Sequence, residues 1–247
     1  MERKHFLKSL LVGAASAPAL LTACSKDEVS PTSSTSSTTT GSGTTTTTTG
    51  GSSSSSCTVA PTETEGPFPT HTPSSYVRSD ITDGRTGYKL TSKITITSSS
   101  NSCSALSGAL VDIWHCDAEG NYSEYGGTGM QSTNYTSVHF LRGRQTTDSS
   151  GLVTFASIFP GWYSGRATHI HVHVYNSSGT SLKVTQIAFP EGTGTALVAV
   201  NGYAKGMTGY TYNKSDNVFS DDTAGIEIAT VTGNTTDGFV LTMNIAV

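Results

Sequence analysis

Charge is what this chain has little of: of 247 residues only 14 are Lys or Arg and 18 are Asp or Glu, giving a net charge of −4. Without a basic excess it lacks the electrostatic footprint of a nucleic-acid binder, and that partner is excluded. Past the N-terminal segment no apolar run reaches the ~18 residues a membrane span needs, which excludes a polytopic membrane protein. No window sustains a helical apolar period, so a coiled coil is excluded as well. No internal repeat is visible.

The first 24 residues carry a basic start (Arg3, Lys4, His5, Lys8), an apolar centre from Leu10 to Leu21, and Leu21-Thr22-Ala23-Cys24. This order is that of a secretory signal, and small residues before a Cys resemble the bacterial lipobox, in which Cys24 is lipidated. Arg3-Lys4-His5-Phe6-Leu7-Lys8 also resembles a weakened twin-arginine signal; the export route stays open. Residues 25–56 hold 23 Ser or Thr and 4 Gly in 32 positions, too little apolar surface to offset the entropy of ordering, so a disordered tether is expected. Membrane attachment is then by the lipid anchor only, and the expected location is the bacterial cell envelope, exported to the periplasm or surface. What remains, 57–247, suits one domain.

Cysteine number is low too. With Cys24 set aside, Cys57, Cys103 and Cys116 remain. An oxidising compartment favours one disulfide and one leftover thiol. Three pairings are open; the expected one joins Cys57 to Cys103, pinning the start of the domain to a polar loop, with Cys116 buried in an apolar strand.

What is present reads as β. Tyr88–Thr97, Ala109–Cys116, Leu152–Ile158, Thr168–Tyr175, Leu182–Phe189 and Phe239–Ile245 are short runs rich in Val, Ile, Thr and aromatics. Turn clusters such as Asp83-Gly84, Ser149-Ser150-Gly151 and Thr236-Asp237-Gly238 separate them. The expected fold is an all-β, antiparallel β-sandwich with long loops.

Within Thr168-His169-Ile170-His171-Val172-His173-Val174 the three His share one strand face. Same-face neighbours lie ~6.5–7 Å apart along a strand, so two imidazoles can reach one metal ion, whereas His169 and His173 cannot. Read alone, the strand leaves three accounts open. One is a zinc site made by the His pair with a carboxylate such as Asp117. Another is a tethered sandwich that binds glycans or protein. The third comes from the flanking segments.

Those segments are Thr62-Glu63-Thr64-Glu65-Gly66-Pro67-Phe68, then Val111-Asp112-Ile113-Trp114-His115-Cys116-Asp117-Ala118-Glu119-Gly120-Asn121-Tyr122, then Pro160-Gly161-Trp162-Tyr163-Ser164-Gly165-Arg166 before the His strand, and Thr185-Gln186 after it. In this order and spacing, from about Pro61 to Asp222, the chain resembles the intradiol ring-cleaving dioxygenases, the catechol and protocatechuate 3,4-dioxygenase group, particularly their single-domain secreted members.

The resemblance implies one non-haem Fe(III) per chain, held by Tyr122, Tyr163, His169 and His171. Two phenolates and a hydroxide balance a ferric charge, unlike the two-His-one-carboxylate set of Fe(II) oxygenases, and a coordinating cation can hold Tyr deprotonated despite a free pKa of ~10. It implies a catechol-type aromatic and O2 as substrates, cleavage between the two hydroxyls, and a muconate-type diacid as product. Tyr163 would leave the metal and accept a substrate proton, Arg166 would stabilise negative charge, and Gln186 would stand beside Arg166. Thr64, Gly66, Pro67 and Trp114 would border the substrate, although Trp114 suits a core position equally well. His115, His139 and His173 acquire no family role and are expected to be structural or solvent-facing. A homodimer is compatible with the resemblance, but the tether replaces the helical dimerisation segment of the intracellular catechol 1,2-dioxygenases. Only Ser164-Gly165 separates Tyr163 from Arg166, fewer residues than in the protocatechuate enzymes, so substrate choice does not transfer.

Overall fold

The computed structural model describes residues 57–247; the signal segment, Cys24 and the 25–56 tether lie outside the described residues. Nine strands run in chain order: β1 (Lys89–Ser98), β2 (Ser104–Ala105), β3 (Leu110–Trp114), β4 (Arg142–Thr146), β5 (Leu152–Ile158), β6 (His169–Tyr175), β7 (Ser181–Ala188), β8 (Thr230–Asn234) and β9 (Gly238–Ala246). They form two sheets. One has the order β2-β1-β9-β8 with β5 also paired to β1, and the other has the order β4-β3-β6-β7. The expected sandwich is there, with one pairing that departs from it: β1 and β9 run parallel. A five-residue helix, α1 (Ala196–Val200), follows β7, too short to leave a helical period in the sequence. Among the described residues no helix is long and apolar enough to cross a membrane.

Alternation within strands makes the core. Ile170, Val172 and Val174 of β6 are fully buried with Val111 and Ile113 of β3, and pack with Leu90, Ile94 and Ile96 of β1, Phe155 of β5, and Leu241 and Ile245 of β9. β4, β8 and β2 carried no sequence signal. β4 reads Arg-Gly-Arg-Gln-Thr because its inner face must be small: a Cβ on Gly143 would run into Ile81. β8 is nearly all exposed and needs no apolar residues.

The second face of the β6 sheet is covered by chain rather than by solvent. Residues 57–72 form a strap across it, fastened at its start by the Cys57–Cys103 disulfide, as expected, while Cys116 is a buried free thiol. Along the strap Glu63 N donates to Val184 O and Ala60 N to Ala246 O, and Lys183 Nζ donates to Ala60 O and Thr62 Oγ1. Further along the same β7 edge, Ala188 N donates to Glu227 O and Ala229 N to Ala188 O. These segments protect an edge that would otherwise offer unpaired backbone groups.

Glu227 on that edge yields a stability prediction. It is 1% exposed, and its Oε2 has no hydrogen-bond partner. Burial, then the neighbouring Glu63 and Asp222 carboxyls, push its pKa up to about 8. A carboxyl raised in the folded state adds no penalty below its unfolded pKa of ~4.3 and costs stability as pH rises through its folded value. Glu227→Gln should therefore melt higher than the wild type, by a margin that widens from pH 5 to pH 8 in calorimetry. A constant margin over that range would contradict the shift.

Candidate metal centre

Strand register assembles the site. Opposite one another across the second sheet stand Arg142 and Trp114, Trp114 and His171, and His171 and Gln186. Neighbouring strands are ~4.8 Å apart, so Arg142, Trp114, His171 and Gln186 form one row on one face. A second row holds Arg144, Asp112 and His173. His169 lies beyond His171 at the strand's start. It is there that the chain between β3 and β4 brings in Tyr122, and the chain between β5 and β6 brings in Tyr163.

Two glycines let those connections interlock. Gly120 has φ +92°, and a Cβ there would collide with the Trp162 carbonyl; Gly161 N donates to Asp117 O at 3.1 Å. The loop before Tyr122 and the loop before Tyr163 thus touch backbone to backbone, which only Gly permits.

The four side chains converge. Tyr122 Oη lies 3.1 Å from His169 Nε2, and His169 Nε2 lies 3.1 Å from His171 Nε2. The Tyr163 ring meets Tyr122 edge-on at 5.7 Å and His169 at 5.6 Å. His169 Nδ1 donates to Ala167 O at 2.6 Å, which fixes the tautomer and leaves the Nε2 lone pair facing inward. Tyr163 Oη is buried without a hydrogen-bond partner. Burial pushes both imidazoles down, His169 to about 3 with the Arg166 charge adding to the effect, and His171 well below its ordinary value. Burial likewise raises both phenols. Tyr122 Oη can donate to His169 Nε2, but Tyr163 Oη and His171 Nδ1 are buried without a hydrogen-bond partner; such a cluster is costly on its own, and a cation held by its donors would offset the cost.

The spacing fits one metal ion. Two donors about 2.1 Å from an ion and at right angles stand roughly 3.0 Å apart. Two phenol oxygens with two imidazoles are also the hard, anionic donor mixture that suits a trivalent iron. Among the described residues no three His, Cys, Asp or Glu side chains form a metal-holding group, so a site here needs the phenols. The zinc account that recruits Asp117 fails on geometry: its Oδ1 accepts from Glu119 N and Asn121 N, and its Oδ2 faces Arg85 at 3.5 Å.

Surrounding side chains hold the centre. Trp114, 2% exposed, stacks on the His171 ring at 4.9 Å and 3°; it is packing behind the imidazole, the core position its sequence context also allowed. Arg166 Nε donates to both carboxylate oxygens of Asp216, at 3.1 and 2.9 Å, and its Nη2 donates to Gln186 Oε1 at 2.7 Å. Gln186 Nε2 passes the link to Thr64 O at 2.8 Å. Asp216 is fully buried and also accepts from Ala167 N and Val218 N. Its distance in sequence hid it, and a buried Arg needing a counter-charge was the signal that could have found it. Phe68 of the strap, also unforeseen, stacks on Tyr122 at 4.7 Å. Of the other His, His115 is buried between Cys116 O and Ser157 Oγ, His139 meets Glu124 at the surface, and His173 pairs with Glu65 at 2.9 Å.

Gly66 places the strap against the centre. Its φ is +70°, and a Cβ there would stand 2.9 Å from His171 Cε1; Pro67 follows at the surface. Gly66→Ala must shift either the strap or the imidazole, so reconstituted protein should hold at most about a tenth of the iron affinity of the wild type, the size of a disturbed outer contact. Unchanged affinity in a metal titration would show the contact to be unimportant.

The chain matches the family model described as Dioxygenase over residues 70–201, more than half its length. It belongs to that family, the intradiol ring-cleavage dioxygenases, which are oxidoreductases that generally depend on non-haem Fe(III). Among solved structures it is similar to an intradiol ring-cleavage dioxygenase from Tetranychus urticae, with 27% identity and a TM-score of 0.66 over 77% of this chain and 94% of that one. In fold it is similar to the dioxygenase domain of a dioxygenase–carbohydrate-binding protein fusion from Streptomyces sp. SirexAA-E, with 24% identity and a TM-score of 0.54 over 77% of this chain and 98% of that one. A hydroxyquinol 1,2-dioxygenase from Pseudomonas putida DLL-E4 shares the fold at 14% identity and a TM-score of 0.52, over 76% of this chain and 66% of that one. No curated protein matches the chain.

Proposed function

We propose that this protein is an Fe(III)-dependent intradiol dioxygenase that opens a catechol-type ring between its two hydroxyl-bearing carbons with O2, giving a muconate-type diacid. The observation that carries this reading is the convergence of Tyr122, Tyr163, His169 and His171, with Tyr122 Oη, His169 Nε2 and His171 Nε2 spaced at 3.1 Å. These four would hold one iron per chain. When bound, ferric iron supplies the Lewis acidity that binds a catecholate and makes its ring reactive toward O2.

The chain's own residues supply the rest. Tyr163 is the more exposed of the two Tyr, and its Oη has no hydrogen-bond partner, so it is the one free to move; ionised, as it would be when holding the iron, it would take the proton of a substrate hydroxyl and become a neutral phenol. Tyr122, fully buried and bonded to His169, stays. Arg166 is already aimed by Asp216 and Gln186 before substrate arrives, and a cation fixed in advance beside developing negative charge stabilises it without reorganisation. Phe68 and Trp114 close the centre against water on two sides. Thr64, Gly66 and Pro67 border it through the strap.

An oxygen electrode tests the proposal with iron-loaded protein and a panel of substituted catechols. One O2 consumed per ring, with a ring-opened diacid in the product, is expected; no uptake with any catechol counts against it. The N-terminal segment adds location. We place the enzyme on a bacterial envelope membrane through a lipid on Cys24, from which a Cys24→Ser variant should be released into the soluble fraction.

A further inference from the structure

Arg142 is fully buried, lies in the same cross-strand row as His171, and is not used by the chemistry above. Its guanidinium joins three parts of the chain. From β4 its Nε donates to Ser123 Oγ at 2.9 Å and its Nη2 to Ser123 O at 2.6 Å. Its Nη1 donates to Phe68 O and Thr70 Oγ1, each at 3.0 Å. Glu124, itself 4% exposed, supplies the counter-charge at 3.6 Å. The acceptors on one side belong to the residue after Tyr122, and those on the other belong to two strap residues, Thr70 and Phe68, whose ring stacks on Tyr122.

The segment that carries Tyr122 belongs to no strand, so its backbone groups need side-chain partners. Gln131 is one: Tyr122 N donates to Gln131 Oε1 at 2.6 Å, and Gln131 Nε2 donates to Tyr122 O at 2.8 Å and Tyr125 O at 3.0 Å. Asp117, accepting from Asn121 N, is a second, and Arg142 is a third, the one that reaches both Ser123 and Phe68. A buried ion pair contributes little net stability, because desolvation cancels most of its attraction. What a planar guanidinium with fixed donors supplies is geometry.

We infer that Arg142 is a positioning residue: it locks the Tyr122 loop and the Phe68 strap to one another, and so sets where the Tyr122 phenol stands relative to the substrate wall. The inference rests on the proposed role of Tyr122 as an iron ligand, but the lock itself exists without metal. Arg144 provides the matched control. It sits two residues along the same strand, and its side chain bonds to Asp112, at 2.5 and 2.7 Å, rather than to the Tyr122 loop or the strap.

The experiment compares Arg142→Lys with Arg144→Lys in the full chain, with Arg142→Met as a second variant. Amide hydrogen exchange, read first in metal-free protein, should accelerate about tenfold or more across residues 121–125 and 68–71 in the Arg142 variants, as local opening becomes easier, and not in Arg144→Lys. In iron-loaded protein the visible tyrosinate band should shift and KM for catechol should rise several-fold in Arg142→Lys, with the Arg144 variant unchanged. Equal exchange in the two Lys variants over those segments overturns the inference. Failure of the wild type to cleave any catechol would instead remove the enzymatic reading, and the exchange comparison would still decide what Arg142 does.

Discussion

Tyr122→Phe is expected to leave the fold intact and to take away most of the visible absorption of the iron-loaded protein. The ring is fully buried against Phe68, and the substitution keeps that packing while deleting one oxygen. That oxygen's hydrogen-bond partner is His169, and burial has already raised its pKa well above the ordinary tyrosine value. Without a metal, then, the hydroxyl stabilises little, and the variant should melt within a few degrees of the wild type, since burying an ill-satisfied polar group is itself costly. With iron the effect is large: one of two anionic oxygens is gone, the ferric state loses charge compensation, and turnover should fall by at least about a hundredfold, more than disturbed outer contacts produce. Parallel melting curves, iron content and spectra check this. An unchanged band would remove Tyr122 from the ligands.

Arg166→Met should behave in the opposite way, keeping iron and colour while losing rate. Removing one preorganised donor to developing negative charge costs on the order of 10²–10³ in kcat. Arg166 is anchored by its bonds to Asp216 and Gln186 rather than by any of the four proposed ligands. Asp216→Asn is the milder companion. It keeps the shape but loses the charge that fixes Arg166 Nε and Ala167 N, so kcat should fall with a smaller change in KM. If Arg166→Met instead lost its iron, the guanidinium would be holding the metal site together rather than stabilising substrate.

How much of this was legible in the sequence depends on distance along the chain. That two neighbouring His of the 169–173 strand could share a metal followed from strand periodicity, though which pair did not, and six of the nine strands could be read from their β-branched runs, because both signals are local. Tyr122 and Tyr163 are invisible to periodicity: nothing local says that two loops about 40 residues apart meet, and only the order of family-like segments linked them. The interlock of Gly120 with Trp162 is the physical reason they meet. β4 could not be read because its buried residues are an arginine and a glycine, Arg142 and Gly143, against the usual burial tendencies and strand propensities. The register that puts Arg142, Trp114, His171 and Gln186 in one row is a cross-strand property. Asp216 was missed for a similar reason, since a counter-ion 50 residues from its Arg leaves no pattern. The Cys57–Cys103 bond was legible because so few cysteines left so few choices.

The most direct test of the four-ligand centre is a titration of metal-free protein with ferric iron, followed by absorption and by resonance Raman excited within the visible band. One iron per chain, a red-brown colour and vibrations of two distinct tyrosinates are expected, with loss of one tyrosinate set in Tyr122→Phe. A protein that stays colourless at full iron occupancy, or that shows no tyrosinate vibration, would contradict the account.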